Sequence, residues 1–300
     1  MSRCGGLLPG LMLAALTAAC SAEAPTAGPA SGSAAQDGES SSRAERVVTL
    51  APHLAELVFA AGAGDTLVGV SAYTDYPAAA AQLPQVGDAF GVDQERLRLL
   101  EPDLVLAWAS GMPANTADEL RSTGLPIVTI RTGSLEDVAR AVEEIGRLTG
   151  NAASAETEAA RFRAGIAALR DKYADRTPLR VFYQISARPL YTINGTHFIS
   201  ELIALCGGVN VFADLDELAP QVDVEAVVAR DPDAIVGGMN DYEVWERFDT
   251  LAANRYGNRL RVDTPALARA STRLDAAGAA LCEILDEARA NRRQRSDGSD

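Results

Sequence analysis

The chain has 300 residues, 47% of them hydrophobic, with 41 acidic against 27 basic side chains and a formal charge of −14. Such apolar content can build real cores, and the length suits one large domain or two ordinary lobes. The acidic balance excludes nucleic acid as a natural partner, because its phosphates would be repelled rather than neutralised. In chain order, Met1 to Cys20 carries Arg3 and then "LLPGLMLAALTAAC". An apolar run of about 13 residues is too short for a bilayer, which needs roughly 20, and fits a secretory signal over 1–20. "LTAAC" at 16–20 is similar to a bacterial lipoprotein cleavage box with Cys20 as the lipidated residue, although Thr17 stands where Leu is usual. Residues 21–45 are mostly Ala, Ser, Gly and Pro, which cannot bury a core and are expected to form a disordered tether.

From Arg46 short apolar strands alternate with helices. "RVVTL", "TLVGVS", "DLVLAW" and "PIVTIR" are strands. "HLAELVFAAGAG", "NTADELRSTG" and "SLEDVARAVEEIGRLTG" are helices, the last opening on Ser134 as N-cap with Glu136 and Asp137 in its first turn. This N-terminal lobe spans 46–150. Ser154 to Arg176 has no proline and keeps Ala159, Phe162, Ile166 and Leu169 at helical spacing, so 151–176 holds one helix of about 20 residues, ~30 Å long. The second lobe, 177–292, repeats the grammar: strand "RVFYQI", helix "FISELIALCGG", helix "VDVEAVVAR", strand "DAIVGGM", helix "VWERFDTLAANR", strand "RLRVD" and final helix "LDAAGAALCEILDEARANR". A polar tail, 293–300, closes the chain. The expected fold is α/β: two Rossmann-like lobes with parallel sheets joined by one long α-helix.

Two stretches read almost alike, "VDQERLRLLEPDLVL" from Val92 and "VDVEAVVARDPDAIV" from Val222, with Val, Asp, Glu, Pro and Asp recurring at the same places. Asp93 and Asp223 are expected to cap a short helix, Pro102 and Pro232 to end it, and Asp103 and Asp233 to lead into a buried strand. Glu95 and Glu225 lie in the first turn. Dipole stabilisation of roughly 0.3–1 kcal/mol explains either alone, but their equivalence also suits a symmetric partner carrying cations. Cys4 lies in the signal, and Cys20 at its end. That leaves Cys206 and Cys282, which an exported chain most simply pairs as a disulfide.

"RVVTLAPHLAELVFAAGAGDTLVGVSAYTDYP", "PQVGDAFGVDQERLRLLEPDLVLAW", "LYTINGTHFISELIALCGGVNVF" and "APQVDVEAVVARDPDAIV" resemble the substrate-binding proteins of cobalamin ABC importers. The resemblance runs from about Arg46 to Arg289, and the wider group also serves haem and iron–siderophore uptake. It implies a periplasmic or cell-envelope protein, a monomer, held to a membrane only through a lipid at Cys20. It implies cobalamin as transported ligand with no resident cofactor or metal, and a permease dimer with its ATPase as partner. Glu95 and Glu225 fall on the positions where one glutamate per lobe docks onto permease arginines, and Cys206 and Cys282 match a family pair.

A corrin ring is a broad apolar disc with an amide rim, so aromatics should line the cleft. By motif position these are Tyr73, Phe90, Trp108 and Tyr183, with Tyr191 and Arg269 as further candidates; strand-end packing is the competing role for Trp108 and Tyr183. The chain departs from well-known cobalamin binders at Ala89 and Ala219, where they carry tryptophan, and around Pro265 and "PALARA", where they have an acid and an aromatic run. These departures keep haem or a siderophore as alternative ligands. His53 is expected to pack or cap rather than bind metal, and Asn194-Gly195 to form a turn. A two-lobed α/β enzyme is disfavoured: "GAGDTLVG" follows a helix and precedes a strand, the reverse of a dinucleotide loop.

Overall fold

A computed structural model describes residues 43–88, 91–122, 124–238, 242–262 and 265–297. The first lobe contains β1 (Val47–Thr49), α1 (Pro52–Ala60), β2 (Leu67–Gly69), α2 (Gln94–Leu99), β3 (Leu104–Trp108), α3 (Ala114–Ser122), β4 (Ile127–Ile130) and α4 (Leu135–Leu148). Its strands pair in parallel in the order β2-β1-β3-β4. Then comes α5 (Ala152–Tyr173), the long helix expected between the lobes. The second lobe contains β5 (Leu179–Gln184), a small antiparallel pair β6 (Ser186–Ala187) and β7 (Leu190–Tyr191), α6 (Phe198–Leu205), β8 (Gly208–Asn210), α7 (Val224–Arg230), β9 (Ala234–Gly237), α8 (Ala252–Tyr256), β10 (Arg259–Arg261) and α9 (Leu274–Asp297). Its main sheet is parallel, in the order β10-β9-β5-β8. With β6 and β7 set aside, both sheets run second, first, third, fourth strand, so the two lobes share one topology.

The sequence pattern explains this layering. β1 and β3 are short runs of Val and Leu with both faces covered, as parallel strands require. Alternate residues enter different cores: Val47, Leu104 and Leu106 join a core that continues through α5 and α9 into the second lobe. Val48, Val105 and Ala107 face a smaller core containing Leu97 of α2. Phe182 and Ile235 of the second lobe face an equivalent small core containing Val227 of α7. The α5 stripe is buried as read, at Ala159, Phe162, Ile166 and Leu169. Ser134 caps α4, its Oγ accepting the Asp137 N–H at 3.0 Å, while the Asp137 carboxylate accepts the Ser134 N–H.

The repeated stretches use their aspartates unequally. Asp93 accepts the Arg96 N–H at 2.9 Å, but Asp223 makes no side-chain cap. Asp103 and Asp233 do the same work in both lobes. Asp103 accepts the Arg46 N–H at 2.9 Å, and Asp233 the Arg180 N–H at 2.9 Å. Each arginine then turns its guanidinium onto the end of the repeated helix, Arg46 to Leu100 O and Arg180 to Arg230 O. This clamp fixes the start of the first strand against the third in each lobe.

Two boundaries differ from expectation. The helix expected over "VWERFDTLAANR" is broken into a single 3-10 turn at Glu243–Trp245 and the short α8. Trp245 is fully buried with its Nε1 donating to Gln184, and Asn254 donates to the carbonyls of Trp245 and Phe248, which a helix would have used itself. The expected tail from 293 continues α9 to Asp297.

Cys206, at the end of α6, is disulfide-bonded to Cys282 in α9, and 76 positions separate them. Closing such a loop constrains the unfolded chain by roughly 4 kcal/mol in the chain-entropy model. Denatured, unreduced protein should show no thiol from this pair when titrated; two reactive thiols would contradict the bridge.

Candidate functional site

Two cavities open at the carboxyl ends of the two sheets, where open α/β folds place their ligands. The first-lobe cavity, about 230 Å³, is lined by Leu50 and Ala51 after β1, by Ser71 and Tyr73 after β2, and by Trp108 at the end of β3. The second-lobe cavity, about 360 Å³, is lined by Tyr183 and Gln184 at the end of β5, by His197, and by Val262 and Pro265 after β10. Arg269 joins them. Its neighbour Ala268 lines the second cavity, and its Nη2 donates at 3.2 Å to the carbonyl of Tyr73, which lines the first.

Trp108 is half-buried and stands edge-on to the His53 ring, with centroids 5.0 Å apart. Gly111 lets this ring lie close to the chain: a Cβ there would fall 1.9 Å from Trp108 Cε3. His53 is buried, its Nε2 is 3.3 Å from Thr132 Oγ1, and burial with the nearby Arg269 charge lowers its pKa to about 4. It is a neutral packing partner of the tryptophan at pH 7. Tyr73 adopts a left-handed backbone, φ 64°, and the residue is 78% exposed at the edge of the first-lobe cavity. Left-handed backbone is unusual for a residue of this size and needs surrounding support. The Arg269 bond across the lobes supplies some. Burial, with the Tyr242 phenol nearby, pushes the Tyr183 hydroxyl well above its ordinary pKa.

The expected residues therefore divide. Tyr73 and Trp108 meet in one cavity and Tyr183 lines the other. Arg269 lies between the two. Tyr191 is half-buried on β7, pairs with Ser186 and bridges to Gln221, and lines neither cavity. Phe90 and Cys20 lie outside the described residues, as do the signal and most of the tether. Glu95 and Glu225 are exposed, each two residues after the residue preceding its helix. Asn194 forms the expected turn, its Oδ1 accepting the Thr196 N–H at 3.0 Å. Among the described residues no three His, Cys, Asp or Glu side chains gather as a metal site, and no helix is long and apolar enough to cross a membrane.

Sequence reasoning missed a cluster that ties the lobes together. Glu56, on α1, is 4% exposed and accepts from Ser271 Oγ at 2.7 Å and Arg269 Nη1 at 3.1 Å, with Arg273 Nη1 at 3.3 Å. Arg269 also pairs with Asp75 and holds that carboxyl below its usual pKa. Arg273 lies over the Tyr76 ring, 4.0 Å from its centroid. The signal was present: "HLAELVFA" is apolar around most of its circumference, so its one acid had to find cations in the interior.

Comparison with known proteins agrees with this architecture. A family profile described as "Periplasmic binding protein" matches residues 47–257. A vitamin B12-binding protein of Vibrio parahaemolyticus serotype O3:K6 is 35% identical over 252 residues, which are 83% of this chain and 92% of that one. The crystal structure of the periplasmic vitamin B12 binding protein of Vibrio cholerae is 34% identical, with a TM-score of 0.77 over 82% of this chain and 98% of that one. A periplasmic heme-binding protein from Roseiflexus shares the fold at 24% identity and a TM-score of 0.71, over 81% of this chain and 98% of that one. With a profile match over more than half its length and full-length relatives above 30% identity, the chain belongs to the periplasmic binding protein family.

Proposed function

We propose that this protein captures cobalamin between its lobes and delivers it to an ABC importer, acting as a carrier and not as an enzyme. The observation that carries the reading is the pair of largely apolar cavities at the sheet ends, joined at the Arg269–Tyr73 contact and faced by Trp108 from one side and Tyr183 from the other. A flat, wide molecule with a polar rim suits that arrangement. The vitamin B12-binding relatives, similar along most of their length, support it. The signal and the cysteine at position 20 support export and a lipid anchor in the cell envelope, with the permease and its ATPase as partners and the carrier itself a monomer.

Haem or a ferric siderophore is the second reading. Pro265, where cobalamin binders resembling this chain have an acid nearby, lines the second-lobe cavity, and that wall therefore differs in chemistry. Titrating the full chain with cyanocobalamin, haemin and a ferric siderophore separates the readings. One-to-one binding of cyanocobalamin is expected. Trp108→Ala should weaken it by about 1–3 kcal/mol, since a central aromatic contact contributes that much. Tight haemin binding without any cyanocobalamin binding would replace the cobalamin reading with the second one.

A further inference from the structure

We propose that His197 is a specificity-determining hydrogen-bond donor of the cleft, presenting Nε2–H to a carbonyl oxygen on the rim of the cargo and unable to serve as an axial ligand to its metal. The inference rests on the cobalamin reading and adds to it the chemistry of one wall. His197 lines the second-lobe cavity just before α6. Its Nδ1 accepts the Ile199 N–H at 3.1 Å, capping that helix. A ring nitrogen that accepts from a backbone N–H carries no proton, so the neutral ring holds its proton on Nε2.

The ring stays neutral. Burial lowers its pKa to about 4, and the N-terminal end of a helix disfavours a cation there. Its centroid lies 4.3 Å from that of the Phe198 ring, which fixes its plane. Nε2 has no protein partner among the described residues, which leaves one oriented donor at the wall of a largely apolar cavity. Its match is a neutral acceptor such as the carboxamide oxygen of a corrin side chain.

Metal ligation asks for the opposite tautomer. An Nε2 lone pair on iron or cobalt requires the proton on Nδ1, where it would face the Ile199 N–H, donor against donor. Ligation would break the cap and leave a backbone N–H unpaired. The same side chain that welcomes an amide rim therefore penalises a haem seeking an axial nitrogen.

The test uses the full chain and two variants. His197→Asn keeps a short acceptor suited to the cap but cannot extend a donor into the cavity. His197→Phe removes cap and donor together. Cyanocobalamin affinity should fall roughly tenfold in His197→Asn with an unchanged melting temperature, the loss expected for one buried hydrogen bond. Imidazole nitrogen NMR should report the Nε2–H tautomer with and without cyanocobalamin. Parental affinity in His197→Asn, or an Nδ1–H tautomer, overturns the proposal. So does a haemin spectrum typical of histidine ligation that disappears in both variants. If the parent chain binds no cyanocobalamin, the cobalamin reading itself fails, and the assignment of the rim falls with it. A weakened His197→Asn beside a binding parent, with the Nε2–H tautomer, supports both.

Discussion

Changing Glu56 to alanine should destabilise the folded protein by about 3–5 kcal/mol, the range for removing one partner of a buried ion pair. The carboxylate is almost fully enclosed and satisfies Arg269, Ser271 and Arg273, all from the opposite lobe. Without it Ser271 loses its acceptor and the Arg269 and Arg273 guanidiniums lose their shared carboxylate. The loss should fall near the lower end, because Arg269 keeps Asp75 and the Arg273 side chain is 31% exposed. Urea unfolding with the midpoint and slope both fitted is the appropriate measurement. Glu56→Gln should cost less, since an amide can still accept from Ser271. Binding should weaken in both, because Arg269 also holds the Tyr73 carbonyl at the cavity mouth. A Glu56→Ala protein that melts like the parent would show that α5 and the shared core hold the lobes without this cluster.

The second large effect is expected in transport. Replacing Glu95 and Glu225 together by alanine should leave cyanocobalamin titration unchanged and abolish ligand-stimulated ATP hydrolysis by the reconstituted importer. Both side chains are exposed, and neither lines a cavity. Their loss should cost the fold at most roughly 0.3–1 kcal/mol each through the helix dipole. At a docking surface the cost rises to several kcal/mol, because the cation on the partner is left buried and unpaired. Leu99, one turn beyond Glu95 on α2, is 76% exposed. Transport at the parental rate in the double variant would reduce the repeat to shared architecture.

Much of the fold was legible because periodicity and burial agree. The continuous apolar runs in "RVVTL" and "DLVLAW" mark strands covered on both faces, and the α5 stripe sits where its spacing put it. The reading failed where side chains intervene in backbone bonding. "VWERFDTLAANR" has helical composition, yet the Asn254 side chain takes the Trp245 and Phe248 carbonyls, and Gln184 anchors the Trp245 indole in the core. Of the site, Trp108 and Tyr183 were legible as aromatics closing strands. Tyr191 was not, since nothing local reveals that it pairs with Ser186 of β6 and across to Gln221. His197 escaped notice because "NGTH" reads as a turn, and its capping bond depends on where α6 starts. The Arg46–Asp103 and Arg180–Asp233 clamps are long-range pairs between residues that are individually ordinary.

The Glu56 cluster also bears on how cargo leaves. The two lobes share a core through α5 and α9, and the Glu56 cluster adds a polar fastening close to the Arg269–Tyr73 contact between the cavities. Opening past the Glu56 contacts has to break them, so spontaneous release of a bound molecule is expected to be faster in Glu56→Ala than in the parent. Discharge then becomes work done by whatever grips the outer faces of the lobes and levers them apart. Thermodynamic linkage makes the trade reciprocal: an importer that favours the sprung form weakens the hold on cargo by the same factor by which bound cargo weakens its grip on that form.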